Sequence, residues 1–467
     1  MKLKRKLSIF VLFFTILAAN WSMAVSAFEF TPTSGSDENG NGIPLKFYSE
    51  SVYMINLDTG ETLVNIDGDK ARVPASLTKI MTAVVLLDQF KNTPEKLKTT
   101  YVSCGSEAFD ELYGTGASTA DIQPNEKVNY YDLLAALLIP SSCEAANIIA
   151  INVGGSIKEF TDMMNNKAEE LGMTETHFSN AHGLFANKNY TSCQDISVLC
   201  KYALDNYPEF KEIVSMPEYH MESTDYHSEG TSITNTNYML SSASDYYYSS
   251  VKGIKTGTLD EAGRCLASYA SYNGYNYLIV SMGAPINKRE EDIKIGKNNP
   301  DSVFADDVVY YNLLDHISLY KWAFNNLVLT DFVNTSSEIQ EAKIEYGKGT
   351  DYVTLKPAEG YSQLWPTDIP IDNVKRTITV SKNIIAPIES GDVLGKMTLE
   401  YNGEVLSTID LVATGSVERD EFSAKLHVAA SFFHSSAFIV SLILIILLII
   451  IYTAVHAIRT HMKYIKK

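Results

Sequence analysis

Pro74-Ala75-Ser76-Leu77-Thr78-Lys79-Ile80-Met81-Thr82-Ala83 is the stretch from which the rest of the chain is read. Ahead of it, residues 51–57 and 62–66 are strand-like and are joined by the turn residues Asp58-Thr59-Gly60. From Leu77 the apolar residues fall at 77, 80, 81, 84 and 87, the spacing of one helix face. Ser76 therefore stands at a helix start, with Lys79 three residues on and on the same face. The first-turn N–H groups and the positive helix end also gather around that serine. A hydroxyl beside an amine in this setting is a nucleophile beside its base.

Ser-x-x-Lys alone is a weak signal, since it occurs at Ser76–Lys79, Ser249–Lys252 and Ser318–Lys321. The last lies in an amphipathic pattern (Val308, Leu313, Leu314, Ile317, Trp322) and reads as a solvated helix face. Taken singly, Ser76 is a helix-capping serine with a surface lysine nearby. Two further motifs change that balance. Pro140-Ser141-Ser142-Cys143 falls between two helical patterns, which puts Ser141 on a short helix-framed loop. Lys255-Thr256-Gly257, followed by Thr258, falls on a strand and is the only Lys-Thr-Gly in the chain. Each has a plain reading as well, Ser141 as a cap after proline and Lys255 as an exposed strand residue. Their joint order, helix start, interhelix loop and strand, makes chance a poor account.

Working outward, residues 130–172 are helical: 132–138 form a buried helix that stops at Pro140, and 144–153 and 156–171 continue the pattern. Near residue 250 the period changes to strand, with segments at 253–258, 264–271 and 275–283 and the hairpin signal Asn273-Gly274 between the last two. Residues 306–327 read as a closing helix. The result is an α+β unit, an antiparallel sheet with terminal helices and a helical subdomain inserted in sequence. Beyond residue 328, segments at 338–346, 351–355, 376–381, 396–401 and 404–412 alternate, and Asn402-Gly403 marks another hairpin. That is a small all-β domain without a titratable cluster, a spacer or binding module.

The 467 residues, 45% of them apolar, suffice for two or three domains, and the net charge of −18 argues against nucleic acid as a partner. Lys2, Lys4, Arg5 and Lys6, an apolar run over 7–19 and Val25-Ser26-Ala27 make residues 1–27 a secretory signal, followed by a flexible leader over 28–44. Residues 428–458 contain no Lys, Arg, Asp or Glu, more than the ~20 residues a bilayer span requires. We therefore expect a juxtamembrane linker over 416–431, a transmembrane helix over 432–456 and a cytoplasmic basic tail over 457–467, with Arg459, Lys463, Lys466 and Lys467. Everything from 28 to about 430 then lies outside the cytoplasm. The five cysteines (Cys104, Cys143, Cys193, Cys200, Cys265) are odd in number and fit no metal site. Cys193 and Cys200 on one helix would stand ~10 Å apart, too far for a disulfide.

These motifs resemble the penicillin-binding-protein and serine β-lactamase superfamily and, more narrowly, the low-molecular-weight D-alanyl-D-alanine carboxypeptidases of peptidase family S11. The resemblance covers roughly residues 45–415. It rests on residues 74–82, Leu138-Ile139-Pro140-Ser141-Ser142, the 178–184 stretch with His182-Gly183-Leu184, Gly253-Ile254-Lys255-Thr256-Gly257-Thr258 and Ala262-Gly263. It implies a β-lactamase/transpeptidase-like catalytic domain over 45–327 and the family's C-terminal β-domain over 328–415. It further implies removal of the terminal D-alanine from the peptidoglycan stem pentapeptide through a Ser76 acyl-enzyme, inhibited covalently by β-lactam antibiotics, without metal or cofactor. Lys79 would be the base, partly neutral through burial and the nearby cation Lys255. Ser141 would pass the proton to the leaving amine, and Lys255, Thr256, Gly257 and Thr258 would bind the substrate's carboxylate. Backbone N–H groups of Ser76 and Thr258 would form the oxyanion hole.

One position departs from the family: its second motif is usually Ser-x-Asn, and here Cys143 stands third, at a position that would contact substrate. A thiol donates and accepts hydrogen bonds more weakly than an amide, so an active enzyme with slower turnover is expected. Two rival readings are a class A β-lactamase, which needs a Glu-x-x-x-Asn element absent between Ser141 and Lys255, and a catalytically impaired wall-binding scaffold. His182 reads as a structural residue before Gly183, and Tyr246-Tyr247-Tyr248 as packing against the sheet or the cleft edge.

Overall fold

The computed structural model describes residues 30–36 and 42–465. The signal segment at 1–27 lies outside them, as do most of the leader's centre and the last two residues of the basic tail. Two units divide the chain at Leu327/Val328.

The first unit is built on a five-stranded antiparallel sheet. Its strands are β1 (Ser51–Asn56), β2 (Thr62–Ile66), β3 (Val251–Leu259), β4 (Gly263–Tyr272) and β5 (Tyr275–Ala284), in spatial order β2–β1–β5–β4–β3. Asn273 and Gly274 turn the β4–β5 hairpin with φ of 50° and 85°, the positive pair that a two-residue hairpin turn needs. Period-two alternation along β4 sorts its side chains between two layers. Cys265, Ala267 and Tyr269 enter the large core shared with the helical block. Ser268 instead faces the closing helix Tyr311–Asn326, where it bonds His316 Nδ1 at 2.7 Å and the Tyr320 hydroxyl at 2.8 Å. His316 also meets Ser281 Oγ at 2.9 Å, and burial pushes its pKa down to about 3.

The helical block has α1 (Thr78–Phe90) at its centre, buried from Thr78 through Leu87. A helix apolar all round belongs in an interior. Around it lie α2 (Tyr130–Leu138), α3 (Cys143–Gly154), α4 (Ile157–Glu170) and α5 (Cys193–Asn206). Their starts follow from single polar side chains: Asn129, Ser142, Ser156 and Ser192 each accept a backbone N–H of the first turn. Gly155, at φ +83°, ends α3 in the left-handed conformation glycine favours. The closing helix of this unit, α6 (Tyr311–Asn326), packs on β4 and β5. It is shorter than the expected 306–327 because residues 306–310 are extended or turning.

The leader is more ordered than its composition indicates. Thr33–Ser36 pairs antiparallel with Gly42–Pro44, and Phe30, 6% exposed, lies 6.5 Å from the Trp322 ring. One buried aromatic ring holds a polar segment against the unit. All five cysteines are free and buried.

The second unit carries a six-stranded sheet of β6 (Gln340–Glu345), β7 (Tyr352–Pro357), β8 (Lys375–Val380), β9 (Ile384–Ile385), β10 (Val393–Tyr401) and β11 (Glu404–Ala413), in the order β8–β10–β11–β7–β6–β9. Asn402 and Gly403, at φ 50° and 88°, turn the β10–β11 hairpin. Where a linker was expected at 416–431, the chain forms α7 (Glu421–His434), because the Asp420 carboxylate caps it through the N–H groups of Phe422 and Ser423 at 3.0 and 3.1 Å. The long apolar helix α8 (Ser436–Ile465) therefore starts at 436 and not 432. Its 27-residue apolar part, Ser436–Met462, is long and apolar enough to cross a membrane.

Candidate active site

Pro74 leads into a single 3₁₀ turn, Ala75–Leu77, on which α1 is stacked. Ala75 and Leu77 are wholly buried and pin the turn, which leaves Ser76 between them facing the cleft. Lys79, in the first turn of α1, is wholly buried. Its Nζ lies 3.0 Å from Ser76 Oγ, 2.6 Å from the His182 carbonyl oxygen and 3.4 Å from Cys143 Sγ. A neutral amine has two N–H groups and one lone pair. It can donate to His182 and Cys143 while accepting the Ser76 hydroxyl proton, so all three contacts suit a base. Burial is the main cause that lowers the Lys79 pKa, partly offset by Cys143 and Glu144.

Two glycines permit this closeness. A Cβ on Gly257 would lie 3.1 Å from both Ser76 N and Ala75 Cβ, and one on Gly183 would lie 2.0 Å from Ala75 O. Any side chain at either position would push the strand or loop off the nucleophile turn.

Ser141 sits on the α2–α3 loop at φ +71°, a conformation that costs a residue with a Cβ. Its Oγ is buried and has no hydrogen-bond partner. Neighbouring backbone holds the loop, with Ser142 N–H donating to Ala136 O at 2.9 Å and Cys143 N–H to Ser118 O at 2.8 Å. Cys143 opens α3, 2% exposed, with its sulfur against Lys79.

On β3, Thr256, Gly257 and Thr258 line the same cleft as Ser76 and Ser141, a cavity of about 180 Å³. Thr256 Oγ1 and Thr236 Oγ1 are 2.6 Å apart. Lys255 is placed differently: it is 1% exposed, does not line the cleft, and donates to Thr256 O at 3.2 Å. Burial pushes its amine well below the usual range, and the charge of Lys79 pushes it further. Burial is the first cause lowering both amines, and the repulsion between them disfavours both being charged at once. The other Ser-x-x-Lys pairs stay apart from this cleft, Lys252 bonding Ser249 O at the surface and Ser318–Lys321 lying on α6.

His182 is joined to the site through its backbone, which the sequence does not reveal. Its carbonyl holds Lys79, while its ring Nδ1 accepts the Leu184 N–H at 3.1 Å, so Nε2 carries the proton and donates to Glu111 Oε1 at 3.0 Å. Asn147 Nδ2 donates to the same Glu111 oxygen at 3.0 Å. Burial lowers the His182 pKa, and the bond from His182 lowers that of Glu111. Tyr246 and Tyr248 pack on the closing-helix side against Tyr310 and Tyr320, whereas Tyr247 is exposed.

Comparison with known proteins agrees with this geometry. A family model for D-alanyl-D-alanine carboxypeptidase matches residues 39–286, and one for the C-terminal domain of penicillin-binding protein 5 matches residues 329–419. The chain is 26% identical over 401 residues to D-alanyl-D-alanine carboxypeptidase DacF of Bacillus subtilis, covering 86% of this chain and 94% of the relative. To the D-alanyl-D-alanine carboxypeptidase of Streptomyces sp. strain K15 it is 33% identical over 250 residues, 51% of this chain and 82% of that one. In fold it is similar to the solved carboxypeptidase DacD of Francisella tularensis, with a TM-score of 0.60 at 21% identity, over 80% of this chain and 95% of that one. The chain belongs to the D-alanyl-D-alanine carboxypeptidase family, peptidases of the penicillin-binding-protein fold with an all-β C-terminal domain.

Proposed function

We propose that this family member cleaves the terminal D-alanine from peptidoglycan stem pentapeptides through an acyl-enzyme on Ser76. The observation that carries the reading is the 3.0 Å contact between Ser76 Oγ and the amine of a wholly buried Lys79. Burial disfavours the charged amine, so Lys79 takes the Ser76 proton as the oxygen attacks the D-Ala–D-Ala carbonyl. The oxyanion is met by the backbone N–H groups of Ser76 and Thr258. Ser141, whose hydroxyl is otherwise unpartnered, carries the proton to the leaving D-alanine nitrogen. Water then attacks the ester, with the same base available, and frees Ser76. Thr256 and Thr258 meet the substrate's C-terminal carboxylate, with Gly257 giving it room and Lys255 lying beneath. An arriving carboxylate favours the charged form of Lys255 that burial disfavours. Cys143, against Lys79, stands beside the substrate peptide where the family usually has an amide, which slows turnover without abolishing it.

In the same reading β-lactams acylate Ser76, α8 anchors the enzyme in the cytoplasmic membrane, and both folded units lie outside. Fluorescent penicillin tests it: a covalent label on the full chain that vanishes in Ser76→Ala, together with D-alanine release from a pentapeptide, is expected. A chain that is never labelled and releases no D-alanine is a wall-binding scaffold. Rapid nitrocefin turnover without a lasting label makes it a β-lactamase.

A further inference from the structure

Of the partners of Lys79 Nζ, Ser76 lies in the adjoining turn, whereas the His182 carbonyl and Cys143 Sγ come from two separate elements. One carboxylate oxygen braces both of those elements. Glu111 Oε1 accepts from the His182 ring Nε2 at 3.0 Å and from Asn147 Nδ2 at 3.0 Å. Asn147 stands four residues after Cys143 on α3, one turn along the same face. It is wholly buried, and its Nδ2 also donates to Ala108 O at 3.0 Å, while its Oδ1 has no partner. Turning the amide over would set that oxygen against two acceptors, so its orientation is fixed at the cost of one unsatisfied atom. The 180–184 turn that carries the His182 carbonyl is closed by Asn180, whose Oδ1 accepts the Gly183 N–H at 2.6 Å and whose Nδ2 donates to Leu184 O at 3.0 Å. The His182 imidazole, its side chain 4% exposed, is locked between the Leu184 N–H and Glu111. Glu111 itself, on the short Asp110–Leu112 turn, has a side chain that is 48% exposed. A contact so open to water contributes little to folding. An amine serves as a base only when its lone pair points at the hydroxyl, and the places of its other partners set that direction.

We propose that Glu111 is a positioning residue for acyl transfer, holding the His182 turn and α3 at the spacing that directs the Lys79 lone pair at Ser76. This inference rests on the carboxypeptidase reading above and adds to it a residue outside the three motifs. Glu111 touches neither the substrate nor the reacting atoms, and no proton passes through it. The bond from His182 lowers its pKa, so the carboxylate is ionised at neutral pH, and burial lowers that of His182, so the imidazole is neutral. In that state His182 Nδ1 keeps the lone pair that accepts the Leu184 N–H.

The test compares Glu111→Ala with Glu111→Gln in the full chain in detergent, since glutamine keeps an acceptor for His182 Nε2–H without the charge. D-Alanine release from a pentapeptide gives kcat and KM, and fluorescent penicillin gives the acylation rate and the labelled fraction at saturation. Glu111→Ala lowers kcat and the acylation rate about 10-fold through a small displacement of the amine, with KM within about 2-fold of wild type. Glu111→Gln recovers to within about 3-fold of wild type, because the hydrogen bond survives. Both variants label completely and melt within about 2 °C of wild type. An alanine variant that labels only in part, or whose KM rises with kcat unchanged, makes Glu111 a folding or binding residue and overturns the proposal. So does an alanine variant as fast as wild type, or a glutamine variant as slow as alanine. Wild type that neither releases D-alanine nor takes the label overturns the carboxypeptidase reading, and this one with it.

Discussion

Replacing Ser141 separates stability from activity, because the same hydroxyl is a poor structural element and, in the proposed mechanism, the proton carrier. Its Oγ is buried without a partner, and its backbone is held at φ +71°. A buried hydroxyl lacking a hydrogen bond costs about 1–3 kcal/mol. The residue lines the cleft while its Oγ is closed off from solvent, and for one small neutral hydroxyl the penalty is about 1 kcal/mol, the low end of that range. Ser141→Ala therefore stabilises by about 1 kcal/mol, a Tm rise of about 2 °C for a unit of this size. Ser141→Gly also relieves the Cβ strain, about 1 kcal/mol, but loosens the unfolded chain by about 0.5–1 kcal/mol. It should melt within about 1 °C of the alanine variant. In both, loss of the proton path lowers kcat by about 10²- to 10⁴-fold. The assay is D-alanine release from a pentapeptide, with melting followed by circular dichroism on the same detergent-solubilised samples. A Ser141→Ala protein that melts lower than wild type and loses activity in proportion refutes the reasoning, since its hydroxyl would then be a structural bond. So does one that keeps its full kcat.

Three further outcomes follow from the site. Lys79 must be neutral to act, and its folded pKa lies below the ordinary 10.5, so the acylation rate by penicillin rises as pH rises through that lowered value. In stability terms the unfolded chain binds the extra proton between the two pKa values, so this group's penalty is fully present below the folded pKa and fades toward 10.5. Lys79→Met should accordingly be inactive, more stable at neutral pH, and lose that advantage in alkaline melts. Cys143→Asn replaces a weak partner at 3.4 Å from Lys79 by an amide, and kcat/KM for the pentapeptide should rise about 3- to 10-fold, about 1 kcal/mol; an unchanged or lower value in a folded protein argues against the thiol being limiting. Gly257→Ala puts a methyl 3.1 Å from Ser76 N, so labelling by fluorescent penicillin should slow at least ~10-fold from even a small displacement of the nucleophile, with little change in melting.

Much of this molecule is legible in the chain, and the limits of that legibility have a physical pattern. Short-range features came through because they depend on neighbours in sequence: the helix from Leu77 on and the positive-φ turn at Asn273-Gly274, whereas the cap read at Ser141 falls one residue on, at Ser142. Ser76 and Lys79, the proposed nucleophile and base, are three residues apart, so local helical geometry brings them together. Where the reading failed, an unseen partner intervened. The leader is tied down by the Phe30 ring against Trp322 and by the Phe30 N–H on the Leu63 carbonyl, and the expected linker became a helix through one capping carboxylate.

What the sequence determined unaided is the inventory of chemistry, a hydroxyl and an amine on one helical turn, a serine loop and a Lys-Thr-Gly strand, and the local structure each must adopt. Only the tertiary structure decided their environments. It put Lys79 and Lys255 out of water, aimed a backbone carbonyl from His182 at the Lys79 amine, and left the Arg264 Nε without an acceptor beside the Ser76 cleft. Burial and close approach are properties of segments far apart in the chain, and the charge states and open contacts of a site depend on them.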